Sequence, residues 1–148
     1  MKNDTLNIVL ADDDEDDRDI FEQALNETKH QTHLECFENG LSLINYLRHN
    51  DTELPDVIFL DLNMPSMDGF ECLGEIKKDP GLKDLIIIIY STSSSEKDID
   101  LVFNAGANIY LTKPYDFGKL VKILQKILAL DWPNHSASLS RTTFLYKL

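Results

Sequence analysis

The stretch Pro55-Asp56-Val57-Ile58-Phe59-Leu60-Asp61-Leu62-Asn63-Met64-Pro65-Ser66-Met67-Asp68-Gly69-Phe70 decides the fold. Val57 to Leu60 is an uninterrupted apolar run, the pattern of a strand buried on both faces. It ends on a single carboxylate, Asp61, before a Pro/Ser/Asp/Gly turn and a segment with helical spacing. In an open parallel sheet, ligands gather outside the carboxyl ends of the strands. Asp61 stands at such an end. An Asp after a strand is also a common turn or cap residue, so the rest of the chain has to decide between the two.

On the N-terminal side, Leu6 to Ala11 reads as a strand that runs into six consecutive carboxylates, Asp12-Asp13-Asp14-Glu15-Asp16-Asp17. Ile20/Ala24 and Phe21/Leu25 then repeat at helical spacing. Thr32 to Phe37 alternates as a second strand, and Asn39-Gly40 leads into a helix through Leu43, Ile44 and Leu47. On the C-terminal side, a helix runs to about Lys78 and breaks at Asp79-Pro80-Gly81. Leu85 to Ile89 is the most apolar run and is expected near the sheet centre. A hydroxyl-rich loop from Tyr90 to Ser94 follows, then a helix capped by Ser95-x-x-Asp98. A short fifth strand, Ile109 to Thr112, ends at Lys113-Pro114, and Asp116 caps a last helix through Leu120, Ile123, Leu124, Ile127 and Leu128.

Five strands alternating with five helices imply α/β architecture, a doubly wound parallel sheet with helices on both faces. Residues 1–130 are expected to form this domain. Residues 131–148 read as a C-terminal extension without a separate effector domain. Trp132, Phe144, Leu145 and Tyr146 make it too apolar for a solvated tail. It is expected to pack against the domain or against a second copy, so a homodimer is among the expected arrangements.

Composition narrows the function. The chain of 148 residues carries a formal charge of −12, which argues against direct nucleic-acid binding, since that needs a basic footprint. No run approaches the ~20 apolar residues of a membrane span, and the N-terminus enters a strand without a signal-peptide pattern. A cytoplasmic protein is expected, with Cys36 and Cys72 as buried free thiols.

Three strand ends carry the chemistry: Asp12 and Asp13 at the first, Asp61 at the third, and Lys113 at the fifth, with the hydroxyls of Ser91 and Thr92 at the fourth. Carboxylates crowded at one sheet edge raise one another's pKa unless a cation sits among them. Hard oxygen donors with open positions suit Mg²⁺, which would also receive a phosphoryl group. Lys113 would then bind phosphate as a point charge and Ser91 would donate to a phosphoryl oxygen. Asp61 is the natural nucleophile, giving an aspartyl phosphate. Asp14 to Asp17 are expected to complement the N-terminus of the first helix. A calcium loop starting at Asp12 fails, because its sixth position is Asp17 and its twelfth Gln23.

Over Asn7 to about Leu130 the chain resembles the receiver domains of two-component response regulators. The resemblance rests on Ile8-Val9-Leu10-Ala11-Asp12-Asp13, Asp61-Leu62-Asn63-Met64-Pro65 with Met67-Asp68-Gly69, Tyr90-Ser91-Thr92-Ser93, Gly106-Ala107 and Tyr110-Leu111-Thr112-Lys113-Pro114. It implies a flavodoxin-like (βα)5 fold with a five-stranded sheet in the order 2-1-3-4-5. It implies that Asp61 accepts phosphate from a sensor histidine kinase or a histidine phosphotransfer protein. By the same resemblance Asp13 holds Mg²⁺ directly and Asp12 through water, with Asp61 and the Asn63 backbone carbonyl as further ligands. Ser91 and Lys113 engage the phosphoryl oxygens. Ser91, Thr92 and Tyr110 form the switch, in which Tyr110 turns inward on phosphorylation and alters a surface read by a downstream protein target. The Lys113-Pro114 bond is expected to be cis. Such a protein is a phosphoacceptor rather than an enzyme with turnover, although it assists its own phosphorylation and dephosphorylation.

Three rivals fit less well. A haloacid-dehalogenase-type phosphatase needs a second Asp two residues after the nucleophile, where this chain has Asn63. A flavodoxin-like electron carrier needs a phosphate cradle after the first strand, where six carboxylates would repel one. A metal-independent interaction module would be excluded by Mg²⁺ binding that depends on Asp13.

Overall fold

Strand Val57–Leu60 (β3) is buried along its whole length. It lies inside a parallel sheet that also contains Leu6–Ala11 (β1), Thr32–Phe37 (β2), Ile86–Ser91 (β4) and Ile109–Thr112 (β5). The computed structural model describes residues 5–49, 51, 53–130 and 145–146. The first five strands stand in the order β2-β1-β3-β4-β5, the order and direction the sequence implies. Five helices connect them: Glu15–Glu27 (α1), Gly40–Arg48 (α2), Gly69–Lys78 (α3), Glu96–Asn104 (α4) and Phe117–Leu128 (α5).

One strand was not foreseen. Leu145–Tyr146 (β6) pairs in parallel with β5, aligning Leu145 with Tyr110 and Tyr146 with Leu111, so the sheet has six strands rather than five. Two residues carry no readable period, and the pairing satisfies backbone groups that β5 would otherwise expose as an edge. The remaining expectations for the extension, at Trp132 and Phe144, lie outside the described residues.

Strand alternation divides the core in two. Val9, Ile58, Leu60, Ile87, Ile89 and Tyr110 face α2, α3 and α4. Ile8, Leu10, Phe59, Ile88, Tyr90 and Leu111 face α1 and α5. On that second side Phe21, Phe59 and Tyr90 meet edge-on, with centroids 4.9 Å apart for Phe21–Phe59 and 5.5 Å for Phe21–Tyr90. Cys72 is buried as expected, and burial pushes its thiol up to about 12. Cys36 is exposed instead, because β2 is the sheet's edge strand and is incompletely covered.

The turn after β3 is set by close approach. Asp68 and Glu71 form a reciprocal capping box at the start of α3, and the Gly69 N–H donates to the Leu62 carbonyl at 3.0 Å. A Cβ on Gly69 would collide with the Asp61 carbonyl oxygen and lie 2.7 Å from Leu62 Cα. Gly74, exposed in the middle of α3, has nothing within 4 Å of the same position. Glycine-to-alanine changes in this one helix should therefore have opposite signs. Urea unfolding should show Gly69→Ala destabilised by about 2 kcal/mol or more through overpacking. Gly74→Ala should be stabilised by roughly 0.5–1 kcal/mol through helix propensity.

Candidate functional site

Each strand end that carries chemistry is held by one further ladder bond. The N–H of Asp12 donates to the Phe37 carbonyl at 2.9 Å, that of Asp61 to Ala11 at 3.0 Å, and that of Lys113 to Ser91 at 2.8 Å. Continuing the alternation by one residue carries Asp12, Asp61 and Lys113 to the α1/α5 side of the sheet. Tyr90 lies beneath them on that side.

The three meet there. Lys113 Nζ lies 2.7 Å from Asp12 Oδ2, 3.2 Å from Asp61 Oδ2 and 2.9 Å from Asp17 Oδ2. It also sits 5.3 Å from the centroid of the Tyr90 ring, within range of a cation–π attraction. Asp12 and Asp61 are buried, whereas Asp13 is exposed beside them. Asp12 is braced twice more: Oδ1 accepts from the Asp14 N–H at 3.0 Å, and its carbonyl accepts from Arg18 Nη1 at 2.8 Å. Asp61 Oδ1 accepts from the Asn63 N–H at 3.4 Å.

The Asp61 carboxyl is raised to about 6: burial raises it most, Lys113 lowers it and the neighbouring Asp12 raises it. Burial opposes the charge of Lys113, but its close contacts with Asp12 and Asp17 and the charge of Asp61 outweigh that, so its pKa is raised above the ordinary lysine value. One cation among this many carboxylates leaves the site short of positive charge. Carboxylate oxygens of Asp12, Asp13 and Asp61 lie within 4.8 Å of one another, close enough to hold a metal ion. Asp12 Oδ2 supports that fit: it is buried and touches Lys113 without a hydrogen bond of regular direction, so a cation could still satisfy it.

A family model for the response regulator receiver domain matches residues 8–125. The chain belongs to that family. Response regulator Rcp1 of Synechocystis sp. is 32% identical over 124 residues, which is 81% of this chain and 84% of that one. The Mn²⁺-bound crystal structure of Rcp1 matches with a TM-score of 0.75 at 31% identity, over 82% of this chain and 91% of that one. The phosphorylated cyanobacterial phytochrome response regulator RcpA matches with a TM-score of 0.77 at 32% identity, over 83% and 91%. The receiver domain is thus a two-component signalling module whose relatives include a metal-bound and a phosphorylated form. No helix among the described residues is long and apolar enough to cross a membrane.

The residues expected to form the switch are placed less uniformly than the acids. Ser91 is buried and its Oγ accepts from the Ser93 N–H at 3.2 Å, whereas Thr92 is exposed. Tyr110 is already inward: it is fully buried among the α2/α3/α4 residues, and its hydroxyl donates to the Ser93 carbonyl at 2.7 Å. The inward position therefore does not wait for a phosphoryl group, because the ring gains burial and the hydroxyl finds an acceptor without one.

The Lys113-Pro114 peptide is trans, not cis. Trans is the lower-energy form of an X-Pro bond, and the flexible four-carbon lysine stem delivers the ammonium to the carboxylates from that backbone.

Asp17 and Tyr90 were not foreseen as site residues. Asp14 does cap α1, and Glu15, Asp16 and Asp17 fill its first turn, as expected of a helix N-terminus. Only the tertiary contact with Lys113 separates Asp17 from its neighbours.

Lys113 offsets the buried carboxylates, so its loss should be felt in the fold. Lys113→Met keeps similar bulk but leaves Asp12 and Asp61 buried without their ammonium. Denaturant unfolding at neutral pH should show a loss of about 3 kcal/mol, and a divalent cation should restore part of it.

Proposed function

We propose that Asp61 is the phosphoacceptor of a two-component phosphorelay. The observation that carries this reading is the convergence of Asp61 with Asp12, Asp13 and Lys113 at the carboxyl end of the sheet. An Asp61 carboxylate oxygen attacks the phosphorus of a phosphohistidine. The P–N bond breaks, the imidazole leaves with a proton from solvent, and an acyl phosphate remains. Lys113 gives up its contact with Asp61 and takes a phosphoryl oxygen instead, and the Ser91 hydroxyl donates to another.

Asp12, Asp13 and Asp61, with the Asn63 backbone carbonyl, would hold Mg²⁺. Its charge would offset both the carboxylates and the incoming phosphoryl group. The donor is a sensor histidine kinase or a histidine phosphotransfer protein. The chain is a phosphoacceptor and not an enzyme with its own turnover. Ser91, Thr92 and Tyr110 pass the change to the surface formed by α4, β5 and α5, where a downstream protein binds. The signalling unit is residues 1–130, with residues 131–148 as a C-terminal extension. Free Cys36 and Cys72 favour the reducing cytoplasm as its compartment.

Incubation with acetyl phosphate and Mg²⁺ should add one phosphoryl group to the wild-type protein by intact mass and none to Asp61→Asn. A chelator should abolish the addition. Equal phosphate on both proteins would overturn the assignment.

A further inference from the structure

We propose that Asp17 is a positioning residue for phosphoryl transfer, anchoring the Lys113 ammonium from α1 so that it stays aimed at the group on Asp61. This rests on Asp61 being the phosphoacceptor. An ammonium has three N–H donors, and here three carboxylates surround it, at 2.7 Å (Asp12), 2.9 Å (Asp17) and 3.2 Å (Asp61). Two of them have another role. Asp61 is the reacting group, and Asp12 belongs with it and Asp13 to the cluster able to hold a cation. Both are drawn away from Lys113 when the site is loaded. Asp17 lies outside that cluster, so it is the partner that can keep its contact throughout.

The fold places Asp17 for this. Asp14 caps α1 by accepting from the Asp17 N–H at 3.2 Å, which sets Asp17 in the third position of the helix. Side chains in a helix lean back toward its N-terminus, and here that direction points to the strand ends. The Asp17 side chain is about one-third exposed and those of Asp12 and Asp61 are nearly closed off. Asp17 therefore holds the ammonium from the more exposed side of the site. Without it the lysine stem keeps its root on β5, but its tip loses the contact that survives loading.

The test uses the full chain with three substitutions. Asp17→Ala removes the anchor. Asp17→Asn keeps an acceptor oxygen without charge and preserves side-chain bulk should the alanine variant fold poorly. Asp16→Asn removes an exposed charge from the same helical turn and is the control for the general field.

With acetyl phosphate and Mg²⁺, Asp17→Ala should be phosphorylated about tenfold more slowly, the order of loss expected for a misaligned group. Asp17→Asn should lose roughly threefold, since a hydrogen bond without charge is about half as strong. Asp16→Asn should match wild type. A second readout needs no phosphate: the Lys113 ammonium resonance, seen by ¹⁵N NMR in wild type and Asp16→Asn, should broaden or vanish in Asp17→Ala. Asp17 variants with wild-type rates and an unchanged resonance overturn the proposal. So does an equal slowing by Asp16→Asn, which would make the effect one of charge alone. If wild type itself takes no phosphate, the Asp61 assignment fails, and the resonance still reports whether the ion pair exists.

Discussion

Placing several carboxylates at the end of a buried sheet is costly, and the ammonium of Lys113 is what makes it tolerable. Asp12 and Asp61 are taken almost wholly out of water, where an unpaired charge would shift its pKa or be lost. Lys113 touches both, and is itself kept charged by them. The balance is incomplete: one ammonium meets Asp12, Asp17 and Asp61, with Asp13 beside them. The shortfall leaves room for further positive charge, which the carboxylates of Asp12, Asp13 and Asp61 lie close enough together to hold.

Much of the surrounding fold follows from keeping that arrangement rigid. β1, β3 and β5 each add a ladder bond past their last strand residue, so the three chemical side chains start from fixed roots. Gly69 lets α3 begin directly against the Asp61 backbone, which closes the turn beneath the carboxylate. The aromatic group of Phe21, Phe59 and Tyr90 fills the space under the ammonium with surface that cannot hydrate it. The charge of Lys113 is thereby directed at its carboxylate neighbours.

The other face of the sheet carries Ser91 and Tyr110. Ser91 and Tyr110 follow the opposite alternation from Asp61 and Lys113, and each makes a polar contact with the Ser93 backbone. Ser93 also donates its hydroxyl to Asp98 of α4 at 2.8 Å. A chain of short bonds therefore runs from the end of β4 to α4.

The order of elements, both core faces and the three acidic positions with their lysine were legible in the sequence. They depend on periodicity and on which residues end the apolar runs, and both are local properties of the chain. Val57 to Leu60 read as a buried strand because no polar residue interrupts it, and so it is. What tertiary structure alone decided involves choices among chemically equal neighbours. Asp14, Asp16 and Asp17 look alike in a run of acids, yet one caps the helix and another grips a lysine 96 residues away. The two-residue β6 carries no period, so its place beside β5 comes from an edge that needed pairing. The inward Tyr110 likewise reflects where a side chain can reach and what it finds there. Such distances arise only when remote segments meet.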